Sequence, residues 1–94
     1  MYCVYILYSK KSEKFYIGLT DNIEKRILEH NSPDNHGWTK KFQPWIVVYY
    51  EAYLTTSEAI IRELSLKHHG KTWTELRKRI LRSLKGVALS VPQE

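Results

Sequence analysis

The chain has 94 residues, 43% hydrophobic and 13% aromatic, which fits one compact domain with its own core and excludes both intrinsic disorder and an enzyme with separate cofactor and substrate lobes. Its 15 basic residues against 10 acidic ones leave a formal net charge of +5, a balance that favours a polyanionic partner such as nucleic acid. The single cysteine, Cys3, excludes an intramolecular disulfide and any multi-cysteine zinc site, and points to a reducing, cytoplasmic setting.

Tyr2 to Tyr8 is dense in aromatic and branched residues and predicts a strand. It has neither the basic flank nor the cleavage site of a secretory signal and is too short to cross a bilayer, so no membrane association is expected. Lys14 to Gly18 predicts a second strand, joined to the first as a hairpin through the polar stretch Ser9 to Glu13. Thr20, Asp21 and Asn22 are N-cap residue types, Glu24 follows Asp21 by three, and Ile23, Ile27 and Leu28 recur at helical spacing. A first helix over about 22–31 follows. Residues 31–44, with two prolines, a glycine and several Asn, Ser and Asp residues, predict a long surface loop.

Trp45 to Tyr50 is apolar without alternation, which predicts a third strand buried on both faces and central in its sheet. Thr55 with Glu58 forms a capping box that opens a second helix, running to about His69 and stopped by Gly70. Thr72 with Glu75 forms another, opening a third helix whose Trp73, Leu76, Ile80, Leu81 and Leu84 make one apolar stripe opposite Lys78, Arg79, Arg82 and Lys85. Residues 86–94 carry no period and are expected to fray, leaving a domain over 1–85. The order β-β-α-β-α-α is an α+β fold, with a small sheet of three strands covered by three helices and its first pair antiparallel. None of the four glycines stands in a dinucleotide-binding or P-loop arrangement.

Several polar residues fall where helical geometry directs them toward apolar packing. Glu63 lies within the apolar arc that contains Ala59 and Ile60, where an ion pair with Lys67 one turn on is the competing account. Arg26 and His30 form one edge beside Ile23 and Ile27, a pairing able to clamp a phosphate and move a proton, or simply a solvated flank. Tyr5 and Tyr16 lie on adjacent strands and share a face if the register allows. His30, His36, His68 and His69 match no zinc spacing. Together, Tyr5, Tyr16, Arg26, His30 and Glu63 supply a proton acceptor, a phosphate clamp and a metal carboxylate, the parts that phosphodiester cleavage needs.

In these residues the chain resembles the GIY-YIG nuclease superfamily and, within it, the small stand-alone single-domain proteins. The first motif stands as Cys3-Val4-Tyr5 and the second as Tyr16-Ile17-Gly18, with ten residues between the tyrosines. The stretch from Leu19 to Asn31, with Arg26 and His30, is similar to the family's first helix, and Ala59 to Lys67 is similar to the subgroup's A-x-x-R-E-x-x-x-K. The resemblance covers about residues 2–84. It implies a three-stranded antiparallel sheet flanked by helices and a DNA endonuclease that uses one divalent ion, Mg²⁺ or Mn²⁺, in settings such as repair or recombination. Glu63 would hold the metal, Arg26 would hold the scissile phosphate, and Tyr16, Tyr5 or His30 would activate or position the attacking water. Gly18 would let the backbone turn tightly beside the sheet or simply end a strand. Cys3 and Val4 depart from the family's first Gly-Ile, and the added side chain of Cys3 bears on substrate fit more than on metal binding.

Lys40 and Lys41 close the long loop near Trp38, a combination suited to phosphate contact with base stacking, and Lys67 is a further candidate phosphate contact. With no appended recognition domain, the expected substrate is DNA chosen by structure (branched, nicked or single-stranded) or weakly by sequence, with RNA or a specificity-giving protein partner as alternatives. The competing class is a nucleic-acid-binding module that keeps the fold without catalysis.

Overall fold

The computed structural model describes residues 1–68 and 70–90. Its elements are β1 (Tyr2–Ser9), β2 (Lys14–Thr20), α1 (Ile23–His30), a 3₁₀ turn (Trp38–Phe42), β3 (Ile46–Tyr53), α2 (Thr56–Lys67) and α3 (Lys71–Ser90). The strands form one antiparallel sheet in the order β2-β1-β3. The α+β architecture with three helices on a three-stranded antiparallel sheet is thus as the motifs imply.

β1 is the central strand, and its consecutive Val4, Tyr5, Ile6 and Leu7 are all buried because a middle strand is covered on both faces. Alternation along it sorts the core in two. Val4 and Ile6 pack with Ile17, Ala59, Leu66, Trp73, Leu76 and Ile80 beneath α2 and α3. Tyr5 and Leu7 pack with Trp45, Ile23, Ile27 and Phe42 beneath α1 and the loop.

The expectation that the third strand is central does not hold. β3 is an edge strand, and its Ile46 and Tyr50 are 51% and 60% exposed. Both β1 and β3 are apolar without alternation, but β1 already pairs with β2 through the short hairpin, so β3 takes the remaining edge. Tyr50 lies opposite Tyr5, on the face where α1, only eight residues long, does not cover the outer strand.

The helix ends also depart from expectation. Asn22 caps α1, its side chain accepting from the Lys25 N–H at 3.1 Å, which places Glu24 inside the first turn. Thr55 caps α2 as expected, through Glu58 N–H. α2 ends at Lys67 with His68 as its cap. α3 begins before the Thr72–Glu75 box: the Gly70 carbonyl accepts the first intrahelical bond from Thr74 N–H, so this glycine opens α3. α3 also runs through Gly86 to Ser90, because one interior glycine costs only about 1 kcal/mol in a helix already nucleated. The rest of the expected tail, residues 91–94, and His69 lie outside the described residues.

α2 is locked to the sheet edge by Glu51 on β3. Its carboxylate accepts two bonds from Arg62 (Nε and Nη2, both 2.9 Å) and one each from the Tyr49 and Tyr53 hydroxyls at 2.6 Å. Burial alone would raise the Glu51 pKa, but the bonds from Arg62, Tyr49 and Tyr53 outweigh it and hold the carboxyl below its usual range. Glu51→Ala is expected to cost about 2–3 kcal/mol, less than for a fully buried pair because both partners are partly wet. Because the folded pKa is depressed, this contribution is complete above the unfolded carboxyl value and is lost as pH falls through the folded one. Urea unfolding of both proteins at neutral and acid pH checks this, and a gap that does not narrow on acidification would refute it.

Candidate active site

The hairpin register places Tyr5 opposite Gly18 and Leu7 opposite Tyr16, so the two tyrosines do share a face, with ring centroids 6.2 Å apart. Gly18 serves neither a turn nor a strand end. It lies inside β2 at ordinary φ, and a Cβ there would overlap Cζ and Oη of Tyr5. The glycine is the space that the Tyr5 ring occupies.

Tyr5 joins Arg26 and His30 in one chain of hydrogen bonds, part-buried at Arg26 and buried from Tyr5 onward. Arg26 Nε–H donates to the Tyr5 hydroxyl at 3.3 Å, that hydroxyl lies 2.9 Å from His30 Nε2, and His30 Nδ1 lies 2.9 Å from Thr39 Oγ1. Arg26 and His30 sit one turn apart on α1, which brings both over the same sheet face. Tyr5 is 1% exposed, and burial above all pushes its phenol up to about 12 against the bond from Arg26. Its proton therefore stays on the oxygen at neutral pH and needs an acceptor, which His30 Nε2 provides. His30, 5% exposed, is pulled below its ordinary pKa by burial and by the Arg26 charge, so it is neutral. With Nε2 accepting, the ring proton sits on Nδ1 and is donated to Thr39.

The far end of the chain is set by the loop. The Asn35 amide is oriented by the Gly37 N–H donating to its Oδ1 at 2.7 Å, and its Nδ2 then donates to Thr39 Oγ1 at 2.8 Å and to the His30 carbonyl at 3.0 Å. Asn31 clamps the Trp45 backbone in both directions, and Gln43 Nε2 donates to the carbonyls of His30 and Ser32. The segment expected to be a long surface loop is thus an ordered strap, with its own Thr39 and the adjoining Trp45 buried. Sequence reasoning missed Thr39 and Asn35. The available signal was the density of Asn, Gln and Thr in a loop too long to stay ordered without internal hydrogen bonds.

Above the chain opens a cleft of about 430 Å³, lined among others by Tyr16, Arg26, Glu29, His30, Asp34 and Trp38. Tyr5 lies behind this wall. Tyr16 faces the cleft, edge-on to His30 at 4.8 Å and stacked against Trp38 at 6.4 Å. Trp38 is 51% exposed, leaving ring surface free for stacking. Lys40 and Lys41 do not line this cleft, and Lys40 Nζ is held by the Pro33 carbonyl at 2.8 Å.

Glu63 stands apart from the chain. Its carboxylate pairs with Lys67 Nζ at 3.3 Å and is 16% exposed, so the ion-pair account and the partly buried carboxylate are both realised. It makes no hydrogen bond to Tyr5, Tyr16, Arg26 or His30, although its charge is near enough to add to the rise of the Tyr5 pKa. Among the described residues no three His, Cys, Asp or Glu side chains gather into a closed metal cage. Glu63, a single partly wet carboxylate paired with Lys67, would hold Mg²⁺ or Mn²⁺ only jointly with water and substrate phosphate. Among the described residues, no helix is long and apolar enough to cross a membrane.

Comparisons with known proteins show which family the chain belongs to. A family model described as the GIY-YIG catalytic domain matches residues 1–79. A UPF0213 protein of Staphylococcus haemolyticus is 39% identical over 57 residues, spanning 61% of this chain and 70% of its own length. Another from Clostridium perfringens is 41% identical over 64 residues, 68% of each chain. The solution NMR structure of a UPF0213 protein from Bacillus halodurans is 32% identical, covers 92% of this chain and 87% of that one, and superposes with a TM-score of 0.49.

Proposed function

Given that this chain belongs to the GIY-YIG catalytic domain family, whose chemistry acts on nucleic acid, we propose that it is a divalent-metal-dependent endonuclease that hydrolyses DNA phosphodiester bonds, selecting by structure or weakly by sequence. The observation that carries this reading is the chain Arg26–Tyr5–His30–Thr39, buried from Tyr5 inward, beneath an open cleft that Arg26 lines.

In this reading Arg26 keeps Nε on Tyr5 and turns its remaining N–H groups to the scissile phosphate, offsetting the charge that grows there. Tyr16, on the cleft wall, positions the attacking water. Tyr5 is shielded from the cleft, so the water's proton would reach its Oη by way of Tyr16; the Tyr5 hydroxyl then gives its own proton to His30 Nε2, and the pair accepts a proton without forming a phenolate, which a pKa of about 12 would oppose. Glu63 would hold Mg²⁺ or Mn²⁺ together with the substrate, which supplies Lewis-acid polarisation of the phosphate. Lys67 must then release the carboxylate it now holds. That ion pair is what favours the competing reading, a binding module without catalysis.

One experiment separates the two. Purified protein is given branched, nicked and single-stranded DNA with Mg²⁺, Mn²⁺ or EDTA, beside a Glu63→Gln variant. Metal-dependent cutting that Glu63→Gln loses is expected; no cutting by the wild type, or equal cutting by both, would refute the nuclease reading. Because the His30 pKa is lowered, the acid limb of the pH–rate profile is expected below the ordinary histidine value of about 6.5. An acid limb above that value would remove His30 from the proton path.

A further inference from the structure

The cleft just described has the wrong charge to attract DNA by itself. Arg26 faces Glu29 and Asp34 there, and His30 is neutral. The attraction for a polyanion must come from elsewhere on the same surface.

A second cleft, of about 360 Å³, shares Tyr16 as a wall with the first and is lined by Phe15, Tyr16, Ile17, Lys67, Trp73 and Arg77. It carries two cations and no acid. The fold makes it from distant parts: Phe15 to Ile17 from β2, Lys67 from the last turn of α2, Trp73 and Arg77 from the start of α3. Arg77 is held in place, its guanidinium 5.7 Å from the Phe15 ring centre, and Phe15 packs edge-on to Trp73 at 5.5 Å. Lys67 is 48% exposed and able to reach an anion in this cleft while it is still near Glu63.

We propose that this cleft is the anchoring subsite for a second phosphate of the nucleic-acid strand, held by Lys67 and Arg77, one step along the backbone from the phosphate at Arg26. The strand passes over Tyr16, the wall common to both clefts. A phosphate at Lys67 also competes with Glu63 for its ammonium, so anchoring the strand and freeing the metal carboxylate become one event. This inference rests on the nuclease reading for the identity of the strand, but the anion site itself does not depend on cleavage.

The test is binding of a short fluorescein-labelled single-stranded DNA in EDTA across a salt series, for wild type, Lys67→Met, Arg77→Gln and Arg77→Lys, with thermal melting to confirm that each is folded. Lys67→Met and Arg77→Gln are each expected to weaken binding several-fold and to flatten log K against log salt by about 0.7 for the lost contact, while Arg77→Lys keeps the slope. Inorganic phosphate should shift the NMR signals of Lys67 and Arg77 in the wild type. Slopes unchanged in both charge-removing variants would overturn the proposal. A wild type that cuts DNA with Mg²⁺ but binds no better than Arg77→Gln and Lys67→Met leaves the nuclease standing and removes the subsite. A wild type whose slope depends on both residues but which cuts no DNA with any metal keeps the subsite and removes the nuclease.

Discussion

Gly18→Ala is expected to lower stability by about 1–3 kcal/mol and to disconnect the buried hydrogen-bond chain in whatever protein remains folded. The added Cβ would stand where Cζ and Oη of Tyr5 now lie, so the ring has to move. It has little room, because Tyr5 is packed in one buried cluster with Leu7 and Trp45. A shift of the hydroxyl by even about half an ångström disturbs its bonds to His30 and Arg26 together, since both converge on one oxygen. For a domain of this size each kcal/mol corresponds to about 4–8 °C in melting temperature, so a thermal scan resolves the effect. His30 ring signals in NMR report whether the hydrogen bond survives. A variant that melts with the wild type and keeps those signals would show that the Tyr5 ring is not confined by Gly18.

Tyr5→Phe separates the chemistry from the packing. The ring volume is kept, so the core cluster survives, but Arg26 loses its acceptor and His30 Nε2 loses its donor. Leaving those two groups unpaired is expected to cost about 1–3 kcal/mol. The cleavage rate is expected to fall about 10²–10⁴-fold, because the proton path to His30 and the alignment of Arg26 go together. His30→Gln should fall by a similar amount, and the double variant by little more, since residues that act as one unit are not additive. Single-turnover cleavage with saturating metal is the measurement. Full activity in Tyr5→Phe, or strictly additive losses, would remove the Tyr5–His30 relay and leave Tyr16 to act without it.

Much of this site was readable from residue types and spacing. Strand alternation with a short hairpin lets Tyr5 and Tyr16 fall on one face if the register allows, and the register does. Helical spacing puts Arg26 and His30 on one edge of α1, where both reach the same tyrosine. The Glu63–Lys67 pair is likewise an i,i+4 contact that needs no tertiary information. The errors share a cause. Unbroken apolarity made β3 look central, but local pattern cannot say which of two apolar strands gains the second neighbour. The reading of Gly18 failed because its reason is a ring on the facing strand, and that of the loop because its order comes from side chains bonding across gaps in the chain.

The sequence by itself therefore determined the order and type of the elements, the helix edge on which Arg26, His30 and Glu63 lie and the chemical parts available, because periods of two and 3.6 and cap chemistry act within a few residues. Tertiary structure decided what depends on contacts distant in the chain. It buried Tyr5 behind the cleft and so raised its pKa. It delivered Thr39 and Asn35 to the far side of His30, and it set Lys67 beside Arg77 across the α2–α3 junction. Burial and convergence are properties of the packed whole, and they turn a set of polar residues into a directed chain with a charged cleft beside it.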